Sequence, residues 1–193
     1  QSGFGKTGKL WAIDHYDCEP DMIIFGKAVG GDQPVAGVIT QKKYFEKLEK
    51  ASQPMTFAGN AISMAVANAN YDIMLDPETN LMQRAERLGS EFKEMVTKAQ
   101  QSNELIGEVR GLGLALAIEL VKDPKTKEPV EHGKMLEMTR TDIASRGLWA
   151  VTAGRYGNVL RFMPPLTITY DHFIKSVTII LEAIEKNKEN FRK

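Results

Sequence analysis

The hydrophobic and polar positions change character along the chain near residue 76. Before that point the apolar residues come in short unbroken runs. Met22-Ile23-Ile24-Phe25 is such a run, bounded by Pro20-Asp21 before it and Gly30-Gly31 after it, which predicts a short buried strand. Val35-Ala36-Gly37-Val38-Ile39-Thr40 predicts a second. Residues 11–16 predict a helical turn or two, and residues 42–50 a charged surface helix. Residues 52–60 predict a polar loop opening into a helix over residues 61–75. That helix is rich in Ala and Met and nearly free of charge, so the pattern predicts burial on most of its faces. Thr56 and Asn60 stand where they could cap it or offer a hydroxyl and an amide to an anion.

Asp76-Pro77 breaks this helix. Leu81, Ala85, Leu88, Phe92, Val96 and Ala99 then recur at steps of three or four, with Lys, Arg and Glu between them, which predicts an amphipathic helix over residues 80–99. Residues 106–121 are densely apolar and hold Gly107, Gly111 and Gly113, which predicts two strands with a tight bend. A helix over residues 134–146 closes at Gly147, and strands follow at 148–153 and 158–163. Phe173, Val177, Ile180, Leu181 and Ile184 form the stripe of a last helix, and the charged tail, 186–193, reads as frayed. The order gives two pieces, residues 1–75 with two strands and an apolar helix, and residues 76–193 with the alternation of a small α/β domain.

Composition narrows the classes of function. The chain has 193 residues, 42% hydrophobic and 26% charged, as in an ordinary globular protein. Lys+Arg and Asp+Glu are equal at 25 each, so no basic excess directs it to nucleic acid or to an anionic membrane. No apolar run approaches a membrane span, and the opening residues lack a signal pattern. Cys18 alone supplies no intrachain disulfide and no cysteine metal cluster, so the expected compartment is a reducing cytoplasm. The opening on Gln1-Ser2-Gly3, without Met, leads us to expect a start further upstream. Gly3 and Gly8-Lys9 nearly spell a phosphate-binding loop, but Leu10 stands where Ser or Thr would meet magnesium. A glycine-rich surface loop is expected there instead. His15 has no second His or Cys at metal spacing.

Two residues break the pattern in ways that suggest chemistry. Lys27 lies just past the first apolar run, on a turn kept open by Gly30-Gly31. Most lysines are solvated surface groups. Burial at a strand end, however, disfavours a charged amine and favours one able to form a Schiff base. Arg161 sits within Val159-Leu160-Arg161-Phe162-Met163, where alternation puts Val159, Arg161 and Met163 on one face and Leu160 and Phe162 on the other. An arginine in such a strand needs a partner: an internal carboxylate, or the carboxylate of a ligand held through two parallel hydrogen bonds.

Four segments in order resemble the class III, or ω-amino acid type, pyridoxal-phosphate-dependent aminotransferases, over nearly the whole chain. Residues 1–9 resemble the stretch that follows the family's Asp-Glu-x-Gln motif, of which the final Gln is Gln1. Residues 20–34 resemble the cofactor-lysine signature, residues 56–60 its Thr-x-x-Gly-Asn segment, and residues 161–169 its Arg-x-x-Pro-Pro-Leu-Thr-Ile motif. Residues 106–111 and 157–161 are most similar to 4-aminobutyrate aminotransferases and related amino-acid racemases. The resemblance implies an α/β, fold type I enzyme. Residues 1–75 would be the C-terminal portion of a large, mostly parallel-sheet domain that carries the cofactor lysine, and residues 76–193 the small C-terminal domain. It implies that Lys27 forms the Schiff base with pyridoxal phosphate, that Gln1 lies near the ring hydroxyl, and that Thr56 reaches the phosphate of a partner subunit's cofactor. Arg161 would hold the α-carboxylate of an amino or keto acid such as 2-oxoglutarate, at the shared site of a homodimer.

The chain departs from that pattern twice. It lacks the family's upstream half, with the Asp that pairs the pyridinium nitrogen, so it is expected to be inactive without that half. Asp32 replaces a glycine or apolar residue, and a carboxylate there would favour a charged amine. Three readings stand: a transaminase of an amino or ω-amino acid, a racemase or epimerase on the same scaffold, and an inactive structural subunit.

Overall fold

Strands form where the apolar runs predict them, but the two parts of the chain bury them very differently. The computed structural model describes residues 1–49 and 55–192. The chain divides into two units, Gln1–Met82 and Gln83–Lys193.

In the first unit Met22–Phe25 (β1) pairs antiparallel with Gly37–Thr40 (β2), Ile23 opposite Ile39 and Phe25 opposite Gly37. A 3₁₀ turn, Ala12–His15, precedes β1, and another, Lys27–Gly30, follows it. The predicted helix over 42–50 is realised as the single turn Lys42–Phe45 (α1). Lys50 and residues 52–54 of the predicted loop lie outside the described residues. Ala61–Leu75 forms a helix (α2) capped by Asn60, whose Oδ1 accepts from the N–H groups of Ile62 and Ser63 at 3.1 Å each.

Two expectations fail in this unit. The strands are not buried: Ile24 of β1 is 84% exposed, and Met22, Val38 and Ile39 are exposed with it. Nor is α2 buried on most faces, since Ser63, Ala67 and Met74 are its buried residues while Ile62, Tyr71, Ile73 and Leu75 face solvent. An unbroken apolar run shows that a segment favours cover without showing what covers it. Two short strands and a turn have too little surface to bury a four-turn helix, and a lone pair of strands this short is marginal in water. The strand pairs of both units are antiparallel, so no described pair represents the parallel sheet that the resemblance implies.

The second unit closes a core. Leu81–Gln100 (α3) leads to the strands Ile106–Leu112 (β3), Ala115–Leu120 (β4), Val151–Ala153 (β5) and Val159–Phe162 (β6), in the order β3-β4-β6-β5. His132–Met138 (α4) runs on through a π turn and a 3₁₀ turn to Gly147, whose left-handed backbone ends it. Tyr170–Lys186 (α5) and Lys188–Arg192 (α6) complete the unit. Alternation turns Leu116, Ile118 and Leu120 of β4 and Leu160 and Phe162 of β6 inward, where they join Leu88, Phe92 and Val96 of α3 and Phe173, Val177 and Ile180 of α5 in one buried cluster. Phe162 stacks on Phe92 at 5.4 Å between ring centroids and lies 6.0 Å from Phe173.

The tail is ordered, contrary to expectation. Phe191 of α6 is fully buried in the core, and Arg192 pairs with Glu104. One aromatic anchor outweighs the charges around it. At the C-terminal end of α5, where the tail begins, Asp142 accepts from Lys186 and, at 2.8 Å, from Asn187 Nδ2.

Two measurements test this packing. Alanine is favoured over glycine inside a helix by about 1 kcal/mol, yet a Cβ at Gly89 of α3 would lie 2.1 Å from the Gly113 carbonyl oxygen. Gly89→Ala should therefore destabilise the unit by about 1–3 kcal/mol in urea unfolding, and a neutral or stabilised variant would contradict the close approach. The hydrogen bond from Lys186, then that from Asn187, holds the Asp142 carboxyl below the usual carboxylate range. A depressed folded value means stability present above the unfolded value of about 3.9 and lost as pH falls through the folded one. Asp142→Asn should lose that increment at neutral pH and show a smaller drop in Tm between about pH 7 and about pH 3 than the parent. An equal drop in both proteins would show that Asp142 is not the group responsible.

Candidate active site

In the first unit the turn after β1 is held in an uncommon conformation. Lys27 has φ 54°, in the left-handed region where a non-glycine residue is sterically disfavoured. The turn closes through Gly31 N–H to the Ala28 carbonyl at 3.1 Å and Gln33 N–H to the Gly30 carbonyl at 2.9 Å. It is pinned to α2 by Asn70, whose Nδ2 donates to the Val29 carbonyl at 3.2 Å. Gly31, also left-handed at φ 63°, permits that approach, because a Cβ there would fall 2.9 Å from Asn70 Nδ2.

The Lys27 side chain is exposed, which corrects the expectation of burial. Trp11 lies against Phe25 of β1 at 6.1 Å between ring centroids, but that contact does not bury the Lys27 side chain. The lysine that is desolvated in this unit is Lys6, whose amine burial pushes below its usual range. Asp32 points to solvent, and its contact at 3.5 Å is with the neighbouring Gln33 amide rather than with Lys27. Thr56 is exposed on the turn before α2, and Gln1 is exposed as well. The glycine-rich opening is packed rather than loose: Phe4 and Thr7 are buried, and His15 Nε2 lies 3.0 Å from the Thr7 carbonyl and 3.1 Å from its hydroxyl. His15 thus ties a loop together. Among the described residues no group of three potential ligands could hold a metal ion, and no described helix is long and apolar enough to cross a membrane.

The second unit presents Arg161. Because Leu160 and Phe162 point into the core, Arg161 stands on the outer face of the sheet, half-buried, opposite Ala117 on one side and Val151 on the other. Arg110 shares that face across Ala117 and is neutralised by Glu119 at 2.7 Å and Glu108 at 2.9 Å. The Arg161 guanidinium donates from Nη2 to the Met163 sulfur at 3.1 Å. A thioether is a weak acceptor that helps to orient the guanidinium. Small Ala117 and exposed Val151 leave the guanidinium approachable from the sheet's outer side. Such a group, on a rigid strand, can take a planar carboxylate bidentately.

Gln1, Lys27 and Thr56 therefore belong to one unit and Arg161 to the other. Asn70 and Met163 were not singled out from sequence. An asparagine in a helix rich in Ala and Met is a legible signal, but a methionine acting as acceptor is not.

Comparison with known proteins decides the family. The family model described as "Aminotransferase class-III" matches residues 1–184. This chain belongs to the class III aminotransferases. It is 37% identical over 98% of its length to the leucine/methionine racemase of Thermococcus litoralis. It is 33% identical over 97% to the acetylornithine aminotransferase of Streptococcus mutans, and 35% over 95% to a probable 4-aminobutyrate aminotransferase of Bacillus subtilis. It covers 41%, 45% and 41% of those proteins respectively, so the chain spans less than half the length of these curated relatives. Among solved structures it superposes on a Bacillus anthracis aminotransferase with a TM-score of 0.87 and 29% identity, covering 96% of this chain and 43% of that one. It superposes on the taurine:2-oxoglutarate aminotransferase of Bifidobacterium kashiwanohense, solved in complex with PLP and glutamate, with a TM-score of 0.86 and 25% identity, covering 98% of this chain and 43% of that one. The class III chain accordingly has the α/β, fold type I architecture expected from its motifs.

The left-handed backbone of the class III chain at Lys27 yields a test that needs no activity. Lys27→Gly should be more stable than Lys27→Ala by about 1 kcal/mol, since glycine alone relieves the φ penalty. Equal stabilities in urea unfolding would show that no strain is held there.

Proposed function

We propose that this chain acts in a pyridoxal-phosphate-dependent transaminase that moves an amino group from an amino acid or ω-amino acid, 4-aminobutyrate-like, to a keto acid such as 2-oxoglutarate. In this reading residues 1–75 belong to the cofactor-binding domain and residues 76–193 form the small domain. The upstream half that the longer relatives carry, and a second subunit, complete the site. The observation that carries it is the left-handed turn at Lys27. Backbone held in a disfavoured region marks functional positions, and here it presents an exposed primary amine on a turn anchored to a helix.

The residues present fit the cofactor. An exposed amine that forms no ion pair with a carboxylate of the described residues suits an aldehyde. The hydroxyl of Thr56, on the turn before α2, suits a phosphate. Lys27 would hold pyridoxal phosphate through Nζ, Thr56 would meet the phosphate of a partner subunit's cofactor, and Gln1 would lie by the ring hydroxyl. When bound, that group supplies an electron sink for charge developing at the amino-bearing carbon. Once the substrate amine has displaced it, the free Lys27 Nζ would take the proton from that carbon as a general base and, for transamination, deliver it as a general acid to a different carbon. Arg161 holds the carboxylate of the amino or keto acid through paired hydrogen bonds. Arg110, already neutralised by its glutamates, does not compete for the carboxylate.

A racemase reading rests on the 37% identity to the leucine/methionine racemase. It asks the same residues to return the proton to the same carbon from the opposite side. Keto-acid-dependent amino transfer separates it from loss of optical rotation.

The proposal is tested by borohydride reduction of the active protein containing this chain, in the presence of pyridoxal phosphate, followed by peptide mapping. The label should fall on Lys27 and vanish in Lys27→Ala. A label on Lys6 or another lysine, with Lys27 unmodified, would overturn it.

A further inference from the structure

The segment that follows Arg161 is short of backbone donors of its own. Pro164 and Pro165 lack N–H donors, so the carbonyls around them need partners from elsewhere. One internal bond closes the turn, Ile168 N–H to the Pro165 carbonyl at 3.1 Å. Two further bonds come from Arg84 in the first turn of α3, whose Nη1 donates to the Leu166 carbonyl and Nη2 to the Ile168 carbonyl. A planar fork spanning two carbonyls is a task for guanidinium, because an ammonium donates from a single point. The side chains of Leu166 and Ile168 pack on the core, and Thr169 then caps α5, its hydroxyl accepting from His172 N–H at 3.3 Å.

Upstream, this loop begins at Met163, and the Met163 sulfur receives the Arg161 guanidinium. The Met163 sulfur is thus one of the contacts that set the direction in which Arg161 points. Its position depends in turn on a loop whose two central carbonyls are gripped by Arg84.

We propose that Arg84 is a positioning residue for Arg161, acting through residues 163–168 and the Met163 sulfur, and that it touches neither substrate nor cofactor. The inference rests on the reading that Arg161 holds the substrate carboxylate.

The test uses the active protein containing this chain, an amino donor and 2-oxoglutarate. Arg84→Lys should raise KM for the carboxylate substrates about tenfold, the scale of a lost charge-assisted hydrogen bond, with kcat within about threefold of the parent. Met163→Leu keeps volume and removes the acceptor, so it should raise KM in the same direction, and it decides the question if Arg84→Lys does not fold. In an Arg161→Lys background, adding Arg84→Lys should raise KM no further, because both changes act at one guanidinium. If Arg161→Lys raises KM while both Arg84→Lys and Met163→Leu leave it unchanged, or if the Arg84 and Arg161 effects simply multiply, the positioning role falls and the carboxylate reading stands. If Arg161→Lys itself leaves KM unchanged, both fall together.

Discussion

Alternation along β6 is the constraint on which the second half of the molecule depends. Leu160 and Phe162 are locked into the core between α3 and α5, with Phe162 set against Phe92 and Phe173. A slip of one residue in register would expose both and bury Arg161, exchanging apolar burial for an expensive buried cation. The strand therefore has one acceptable setting, and in it Arg161 faces outward. The placement of the Arg161 guanidinium is a by-product of hydrophobic packing on the opposite side of the sheet.

The first unit works under the opposite condition. Its chemistry-bearing turn is well defined locally, through the Asn70 bond and the close approach at Gly31. Its apolar groups are nevertheless left open, with Ile24, Phe57 and Ile62 exposed. Apolar surface of this extent favours burial against another surface. An exposed Lys27 and an exposed β1 are thus two aspects of one arrangement. In the proposed enzyme, the surface that covers these strands would also set the electrostatic surroundings of the amine.

Much of this was legible in the sequence. The amphipathic stripe from Leu81 to Ala99 and the one from Phe173 to Ile184 fixed two helices and the faces they bury, because a period near 3.6 carries both facts. The run of Val159 to Met163 placed Arg161 on its face for the same kind of reason. What was not legible had a common cause, since periodicity reports a preference and not its satisfaction. Residues 61–75 read as buried because they carry almost no charge, yet burial needs a covering layer. Phe191 read as part of a frayed tail because its neighbours are charged, yet one aromatic reaching the core ordered the tail. The motifs named Lys27 and Arg161, while Asn70 and Arg84 owe their roles to contacts between segments far apart in sequence, and Met163 to an acceptor role that no pattern announces.

The central claim is that the second unit holds the Arg161 face by its own packing, whereas the Lys27 turn stands on a unit whose apolar surface is still open. Amide hydrogen exchange on the whole chain tests this most directly. The account predicts slow exchange throughout α3, β4, β6 and α5, and fast exchange in β1, β2 and most of α2. Equal protection in the two units would contradict it.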